Sequence, residues 1–213
     1  MSFRAYARRV RDRDVSSARR HRALRDAAGC YRPLGFEGTW AFLRTAGDVR
    51  NDEGALLRAL ELLETSRTVW PAELESFAER RHGEKVMHRR TPRREETRYL
   101  YGWRWPGPQA KEAMLGEVAR LWAVYSRAPF PDVPSVDKGE LAELDMWLAG
   151  CVSTCLAAKG ELGTWRRDIL VERLPELRGH VARIGYPLTY PAGFDNFRCL
   201  LKMTELIAHD TDS

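Results

Sequence analysis

Apolar residues recur at intervals of three and four positions along most of this chain, which is the period of one face of an α-helix. The clearest example is 52–66, where leucines occupy one side and charged residues the other. Alternation with a period of two is confined to aromatic residues near 99–105. The sequence therefore predicts a mainly α fold, with about eight helices in a compact bundle-like array and at most a small strand or hairpin near 84–105.

Prolines and glycines divide this pattern into segments. Three prolines within 129–134 exclude a helix there, and Asp137 with Glu140 forms a capping-box pattern at the start of the next helix. The predicted helices span about 2–28 with a break near Asp14, 36–46, 52–66, a short helix opened by Pro71, 108–127, 137–159, 164–173, 175–183 and 193–208.

The helical period is lost after about residue 82, in a polar and proline-broken stretch. This predicts a basic helical N-terminal unit over 1–84, an Arg- and aromatic-rich loop or linker over 85–107, and a helical C-terminal unit over 108–213. A single domain with a long insertion remains the alternative.

Charge is unevenly distributed between the two halves. Residues 1–104 carry a net charge of +8 and residues 105–213 carry −3, and 30 of the 35 basic residues are arginine. Codon usage in a high-GC bacterial genome produces such an excess without selection. Arginine is also the better side chain for bidentate phosphate contacts and for stacking on flat rings, so the basic half also suggests a polyanion-binding surface.

Sequence motifs with a specific chemical mechanism are absent. The chain has no phosphate-binding Gly-Lys-Ser/Thr loop, no dinucleotide glycine pattern, no Gly-x-Ser-x-Gly elbow and no His-Glu-x-x-His. The common nucleotide-binding and hydrolase folds lose most of their support. We therefore expect no cofactor and favour a non-enzymatic protein.

The four cysteines are too few and too scattered for a secreted disulfide framework. Cys151 and Cys155 share a helix face, and with Cys30 and Cys199 they form a candidate four-thiolate zinc or iron–sulfur site. Their smooth apolar context favours core packing instead. With no secretory signal at the N-terminus and no apolar run long enough to cross a bilayer, we expect a cytoplasmic protein without a membrane partner.

Glutamate precedes histidine by four residues three times, more often than chance predicts. The pairs are Glu84 with His88, Glu176 with His180, and Glu205 with His209. On a helix this spacing brings a carboxylate next to an imidazole, as metal sites in helical bundles require. Glu176, His180, Glu205 and His209 are therefore candidate ligands of a metal-dependent enzyme. A surface hydrogen bond within each pair is the favoured interpretation.

The region 80–105 combines arginines with alternating aromatic residues. Arginine for phosphates and flat rings for bases is the combination that single-stranded nucleic acid sites use. The predicted contacts are Arg80, Arg81, Arg89, Arg90, Arg93, Arg94, Arg98, Tyr99, Tyr101, Trp103, Arg104 and Trp105, supplemented on the N-terminal helix by Arg8, Arg9, Arg11, Arg13, Arg19, Arg20, Arg22 and Arg25. The alternative is that the arginines form a solvated face and the aromatic residues belong to the core or to a partner interface.

Residues 2–72 resemble the YozE-type domain, a small bacterial helical fold similar to sterile alpha motifs. The residues that carry the resemblance are Ser2-Phe3, Tyr6, Arg11-Asp12-Arg13-Asp14-Val15, Asp26, Tyr31, Pro33, Phe42-Leu43, Leu60, Leu63 and Trp70. The family usually has an acidic pair where this chain has Ser16-Ser17, and a shorter segment before Pro33. The resemblance implies an interaction module without catalytic residues.

Three functions follow in order of preference. The first is a non-enzymatic cytosolic protein that binds nucleic acid or another polyanion through its Arg-rich N-terminal half. The second is a protein–protein interaction module, or a subunit of a homo-oligomer or larger assembly, with Trp103, Trp105 and 129–134 at the contact. The third is a metal-dependent enzyme with Glu and His ligands.

Overall fold

The computed structural model describes residues 2–86, 104–185 and 189–211, with the backbone alone described for 73–74, 76–78, 80–81, 83–86, 210 and 211. Eight α-helices make up 76% of the described residues, and no strand occurs among them. The predicted mainly α fold is confirmed. The chain divides into two compact units, Met1–Ala110 and Lys111–Ser213.

The N-terminal unit contains four α-helices. They are α1 (Phe3–Arg11), α2 (Ser17–Cys30), α3 (Gly35–Leu43), extended by the 3₁₀ turn Arg44–Ala46, and α4 (Glu53–Val86). α1 packs along α2, and both contact α4. The first predicted helix is thus two helices, separated at the point near Asp14 where the apolar spacing slips. Leu24, Leu43, Leu60 and Leu63 are fully buried at the centre of this unit.

The C-terminal unit also contains four α-helices. They are α5 (Ala110–Tyr125), α6 (Lys138–Ala157), α7 (Thr164–Ile184) and α8 (Pro191–Thr211). α6, α7 and α8 pack against one another, with Leu141, Leu148, Leu177 and Phe197 buried among them. The proline-rich segment 129–134 is not helical, as its sequence predicts.

Two prolines lie inside helices that the sequence divides. Pro71 lies within α4 and Pro175 within α7, so the predicted short helices at Pro71, 164–173 and 175–183 do not exist as separate elements. A proline inside a helix removes a hydrogen bond and costs roughly 3 kcal/mol. In α7 the apolar face continues across the proline through buried Leu174 and Leu177, and their burial offsets that cost.

The predicted linker falls mostly outside the described residues. α4 continues to Val86, beyond the predicted loss of helical period. Residues 87–103, which hold most of the strand predicted near 99–105, lie outside the description. None of the described helices has the length and apolar character needed to span a membrane.

Candidate functional site

Of the twelve predicted nucleic acid contacts in 80–105, the side chains of Arg104 and Trp105 are described. Trp105 is only 3% exposed, and its ring meets that of Phe42 edge-on at 4.7 Å between centroids. Arg104 is half-buried, and burial lowers the pKa of its guanidinium against the opposing effect of Tyr31. Trp105 therefore packs in the core of the N-terminal unit, where no base can stack on it.

The other ten predicted contacts lie outside the described side chains. Arg80 and Arg81 are on the last turns of α4, described there as backbone. The remainder are Arg89, Arg90, Arg93, Arg94, Arg98, Tyr99, Tyr101 and Trp103.

Some arginines of α1 and α2 stabilise the fold. Arg20 has a side-chain exposure of 8%; its Nε donates to the Val10 carbonyl at 2.7 Å, and its terminal nitrogen donates to Glu53 at 3.0 Å. Arg13 also pairs with Glu53, at 3.3 Å. Arg20, included among the predicted contacts, is therefore an internal link between three segments and does not face a ligand.

A basic cavity of about 600 Å³ lies between α1 and α4, lined by Phe3, Arg4, Ala7, Arg8, Arg11, Glu64, Arg67 and Thr68. We call it the α1–α4 cavity. Arg11 forms a two-bond ion pair with Glu64, which raises the pKa of the guanidinium further. The guanidinium of Arg67 lies 4.5 Å from the centre of the Phe3 ring. Two of the four arginines here already have internal partners.

A second basic surface runs along α2 and α3. Two adjoining cavities, about 620 and 680 Å³ in volume, share His21 and Arg25 in their walls. We call them together the α2–α3 groove. Its walls also include Tyr6, Arg22, Asp26, Gly29, Cys30, Phe36, Trp40, Ala41, Arg44, Thr45, Gly47, Asp48, Val49 and Arg50. Four arginines face two aspartates, so the groove is positively charged.

The loop that follows the 3₁₀ turn fixes one end of the groove. Gly47 has a φ of +127°, a conformation that favours glycine, and a side chain there would meet Ala55 at 3.0 Å. Asp48 accepts hydrogen bonds from the backbone of Arg50 and Asn51 and from the Asn51 amide. These bonds hold the pKa of Asp48 below its usual range. The backbone position of Arg50 is thereby fixed.

Aromatic rings and Arg25 contact one another in the groove. The Arg25 guanidinium lies 5.6 Å from the Phe36 ring centre and 5.7 Å from that of Trp40. His21 meets Trp40 edge-on at 5.4 Å. Burial, together with the nearby charges of Arg25 and Arg50, lowers the pKa of His21, although Asp48 opposes the shift. At neutral pH His21 is therefore an uncharged ring with one donor and one acceptor.

Sequence reasoning identified Arg22 and Arg25 but missed the rest of this groove. His21 and Arg25 are four residues apart on α2, and Phe36 and Trp40 four apart on α3, so each pair shares a helix face. That spacing is the signal in the sequence that predicts the aromatic and basic faces. Their juxtaposition depends on the packing of α2 against α3, which no local pattern encodes.

Three of the candidate metal ligands of the C-terminal unit form ion pairs or close contacts with residues outside the predicted pairs. Glu176 pairs with Arg173 at 3.2 Å, and Glu205 pairs with Arg178 at 2.9 Å. His180 is buried and faces Asp137 and Glu140 of α6, so the predicted Glu176–His180 pair does not form. His209 lies near the end of α8. For His180, contacts with residues at the start of α6 replace the predicted i,i+4 partner.

The cysteines do not converge on a metal site. Cys151 and Cys155 are fully buried in α6, in agreement with the core-packing interpretation. Burial raises the pKa of both Cys151 and Cys199, which disfavours the thiolate that a metal needs. Among the described residues, the potential three-ligand group consists of Asp137, Glu140 and His180 and contains no cysteine.

The fold and these sites define a mainly α protein of two compact helical units, with a basic, aromatic-lined groove in the first. Comparison with family models, with curated proteins and with solved structures finds no match for this chain.

Proposed function

We propose that this protein binds nucleic acid or another polyanion, without catalysing a reaction, through the α2–α3 groove of its N-terminal unit. The observation that carries the proposal is the placement of Arg25, Arg44 and Arg50 around Trp40. Guanidinium groups contact phosphates by charge-assisted hydrogen bonds, and a tryptophan ring offers a stacking face to a base. The proposed ligand, nucleic acid or another polyanion, and the proposed location in the N-terminal half are those that the sequence predicts.

The groove is preferred to the α1–α4 cavity for its chemistry. The α1–α4 cavity has the larger excess of arginines, four against Glu64. One of those arginines, Arg11, forms a two-bond ion pair with Glu64. A ligand phosphate there would have to compete with a carboxylate already in place. The groove adds four rings to its arginines, those of Tyr6, His21, Phe36 and Trp40, so it can contact both parts of a nucleotide.

The test is a salt-titrated binding assay of the full chain against single-stranded DNA, double-stranded DNA, RNA and inorganic polyphosphate. The variant Arg44→Ala/Arg50→Ala removes two charges from the groove, and Arg4→Ala/Arg8→Ala removes two from the α1–α4 cavity. We expect the groove variant to weaken binding by about tenfold or more at low salt. Its salt slope should also fall by about 0.7 to 0.9 for each lost phosphate contact.

The matched pair separates a site from a general charge effect. Equal losses in both variants would mean that net charge alone attracts the polyanion. A larger loss for Arg4→Ala/Arg8→Ala would move the site to the α1–α4 cavity. Absence of binding at about 50 mM salt would overturn the proposal and leave the arginine excess to genome composition.

We also propose that residues 2–72 form a YozE-type domain, which they resemble in sequence. That resemblance likewise implies an interaction module. We also propose a cytoplasmic location. All four cysteines are free thiols, and that of Cys30 is exposed, which suits a reducing compartment.

A second candidate function is protein–protein interaction through the C-terminal unit. Trp165 is 60% exposed, and its ring meets that of Trp147 edge-on at 6.0 Å. Exposed tryptophans are enriched at protein interfaces. Within the predicted 129–134 contact, Phe130 is partly exposed and Val133 is buried. Sedimentation of the wild type and of Trp165→Ala tests self-association, which should survive salt and be weakened by the substitution.

A further inference from the structure

The most distinctive polar cluster outside the groove lies between the start of α6 and the second half of α7. The His180 side chain is 6% exposed, and its Nδ1 lies 3.4 Å from Asp137 Oδ1. Its Nε2 lies 3.1 Å from Glu140 Oε2. Asp137 is 17% exposed and Glu140 is 72% exposed. The buried ring thus faces two carboxylates, one fixed and one able to move.

The Asp137 side chain does not play the helix-capping role that its position predicts. It occupies the N-cap of α6, but its side chain makes no capping hydrogen bond. An N-cap aspartate usually accepts from the first turn of its own helix, with a gain of about 1 kcal/mol. Here the carboxylate turns towards His180 and Arg183 of the neighbouring helix. The Asp137 carboxylate therefore contacts the neighbouring helix instead of capping its own.

A positive group already lies in this cluster. A terminal nitrogen of Arg183 lies 2.7 Å from His180 Nδ1 and 3.2 Å from Asp137 Oδ1. The same guanidinium nitrogen lies 3.3 Å from His180 Nε2, so the Arg183 head lies against the imidazole ring and contacts both of its nitrogens. Arg183 is 57% exposed, so its head can leave the cluster for solvent. What remains is the imidazole ring with Asp137 beside Nδ1 and Glu140 beside Nε2.

We propose that Asp137, Glu140 and His180 form a binding site for a divalent metal ion of the zinc class, which displaces Arg183 from the cluster. One atom from each of these residues lies within 4.8 Å of the other two. Zinc binds imidazole nitrogen and carboxylate oxygen at about 2.0–2.2 Å, which places tetrahedral ligand atoms about 3.4 Å apart. The mobile Glu140 side chain supplies the adjustment that this geometry requires.

The site would bind metal with one coordination position open. Three protein ligands leave a fourth position for water or a small ligand. The cluster borders a cleft of about 420 Å³ that we call the α6–α7 cleft, whose walls include Trp147 and Arg173. A fourth ligand would come from this cleft.

The test is calorimetric titration of the metal-free full chain with zinc, repeated with cobalt, whose absorption reports the ligand geometry. The wild type should bind one ion. Because His180 is buried, His180→Ala is paired with Glu140→Gln, an exposed change that does not threaten the fold. We expect His180→Ala to abolish binding and Glu140→Gln to weaken it by about tenfold to a hundredfold.

The variant Arg183→Ala distinguishes the proposed site from incidental metal binding. Removing the competing cation should tighten zinc binding by about tenfold, although the substitution adds no ligand. His82→Gln, at an exposed histidine on α4, is the control and should change nothing. Absence of one-to-one binding would overturn the proposal. So would binding unaffected by Glu140→Gln, or binding that Arg183→Ala leaves unchanged or weakens.

Discussion

The α2–α3 groove and the α6–α7 cleft are both lined by charged side chains around an aromatic ring, with opposite balances of charge. In the groove, four arginines outnumber two aspartates. In the cleft, three glutamates face Arg173 and Arg183. The first surface suits an anionic ligand and the second a cation. Asp48 of the groove accepts hydrogen bonds from its own loop, whereas Arg173 of the cleft pairs with Glu176 of the same cleft.

The difference extends to the two histidines. His21 lies among arginines, and its pKa is lowered by burial and by those charges. His180 lies between two carboxylates and contacts the guanidinium of Arg183. A histidine among cations becomes protonated most readily when an anion arrives. A histidine beside two carboxylates offers, together with them, the nitrogen and oxygen donors that zinc binds. The surrounding charge thus decides what one residue type can do.

Each unit also contains a buried charged side chain. Substitution of these two residues should give the largest losses in the free energy of unfolding. In the C-terminal unit the Glu117 carboxylate is fully buried and pairs with Lys202 and with Arg120. Burial lowers the pKa of Lys202 despite the attraction of Glu117. Glu117→Ala should lower the free energy of unfolding of this unit by about 3–5 kcal/mol, because it leaves a buried ammonium without this carboxylate. Urea denaturation measures the loss.

A double variant gives the control for Glu117. Adding Lys202→Met to Glu117→Ala should recover part of the stability, because the buried charge is removed with its partner. Glu112→Ala, at an exposed residue of the same helix, should cost less than about 0.5 kcal/mol. If the double variant is the less stable of the two, the ammonium does not cause the loss.

Arg20 is the corresponding residue of the N-terminal unit. Arg20→Ala removes the donor to the Val10 carbonyl and the ion pair with Glu53. We expect a loss of about 2 kcal/mol, since a buried carbonyl is left without its donor. Arg19→Ala, next to it and exposed, should have little effect. Equal losses in a urea titration would mean that helix propensity or net charge, and not the Val10 contact, accounts for the result.

The sequence predicts most of the fold because helical periodicity is a local property. The apolar face at 52–66, the non-helical 129–134 and the break near Asp14 all follow from residue spacing, and all appear in the structure. The errors at Pro71 and Pro175 have one cause. A proline removes a local hydrogen bond, but whether the helix ends there depends on the burial of the residues on either side.

The sites were less predictable because they are formed between helices. The sequence predicts Glu176, four residues earlier, as the partner of His180, whereas the side chains that face His180 are those of residues 137 and 140. The sequence predicts Asp137 as the N-cap of α6. The residue occupies that position, but its side chain forms no capping hydrogen bond. Likewise, Trp40 and Arg50 lie in different segments, and only the packed unit places both on one groove.

The smallest predicted effect is a pH dependence of polyanion affinity, which His21 in the groove should cause. A bound phosphate favours the protonated imidazole, so the complex takes up a proton that the free protein does not hold. Since the pKa of free His21 is lowered below 6.5, polyanion affinity should rise as the pH falls from 7 through that region. The gain should be less than about tenfold, because one partly exposed charge is involved.

His21→Gln should remove this pH dependence and leave the affinity at pH 7 nearly unchanged, since both side chains are neutral there. Fluorescence anisotropy with a labelled single-stranded oligonucleotide measures both quantities. His82→Gln, on the exposed surface of α4, should keep the wild-type profile. If the pH profile survives His21→Gln, the ligand does not approach His21, and the contact surface is confined to the part of the groove formed by Arg44 and Arg50.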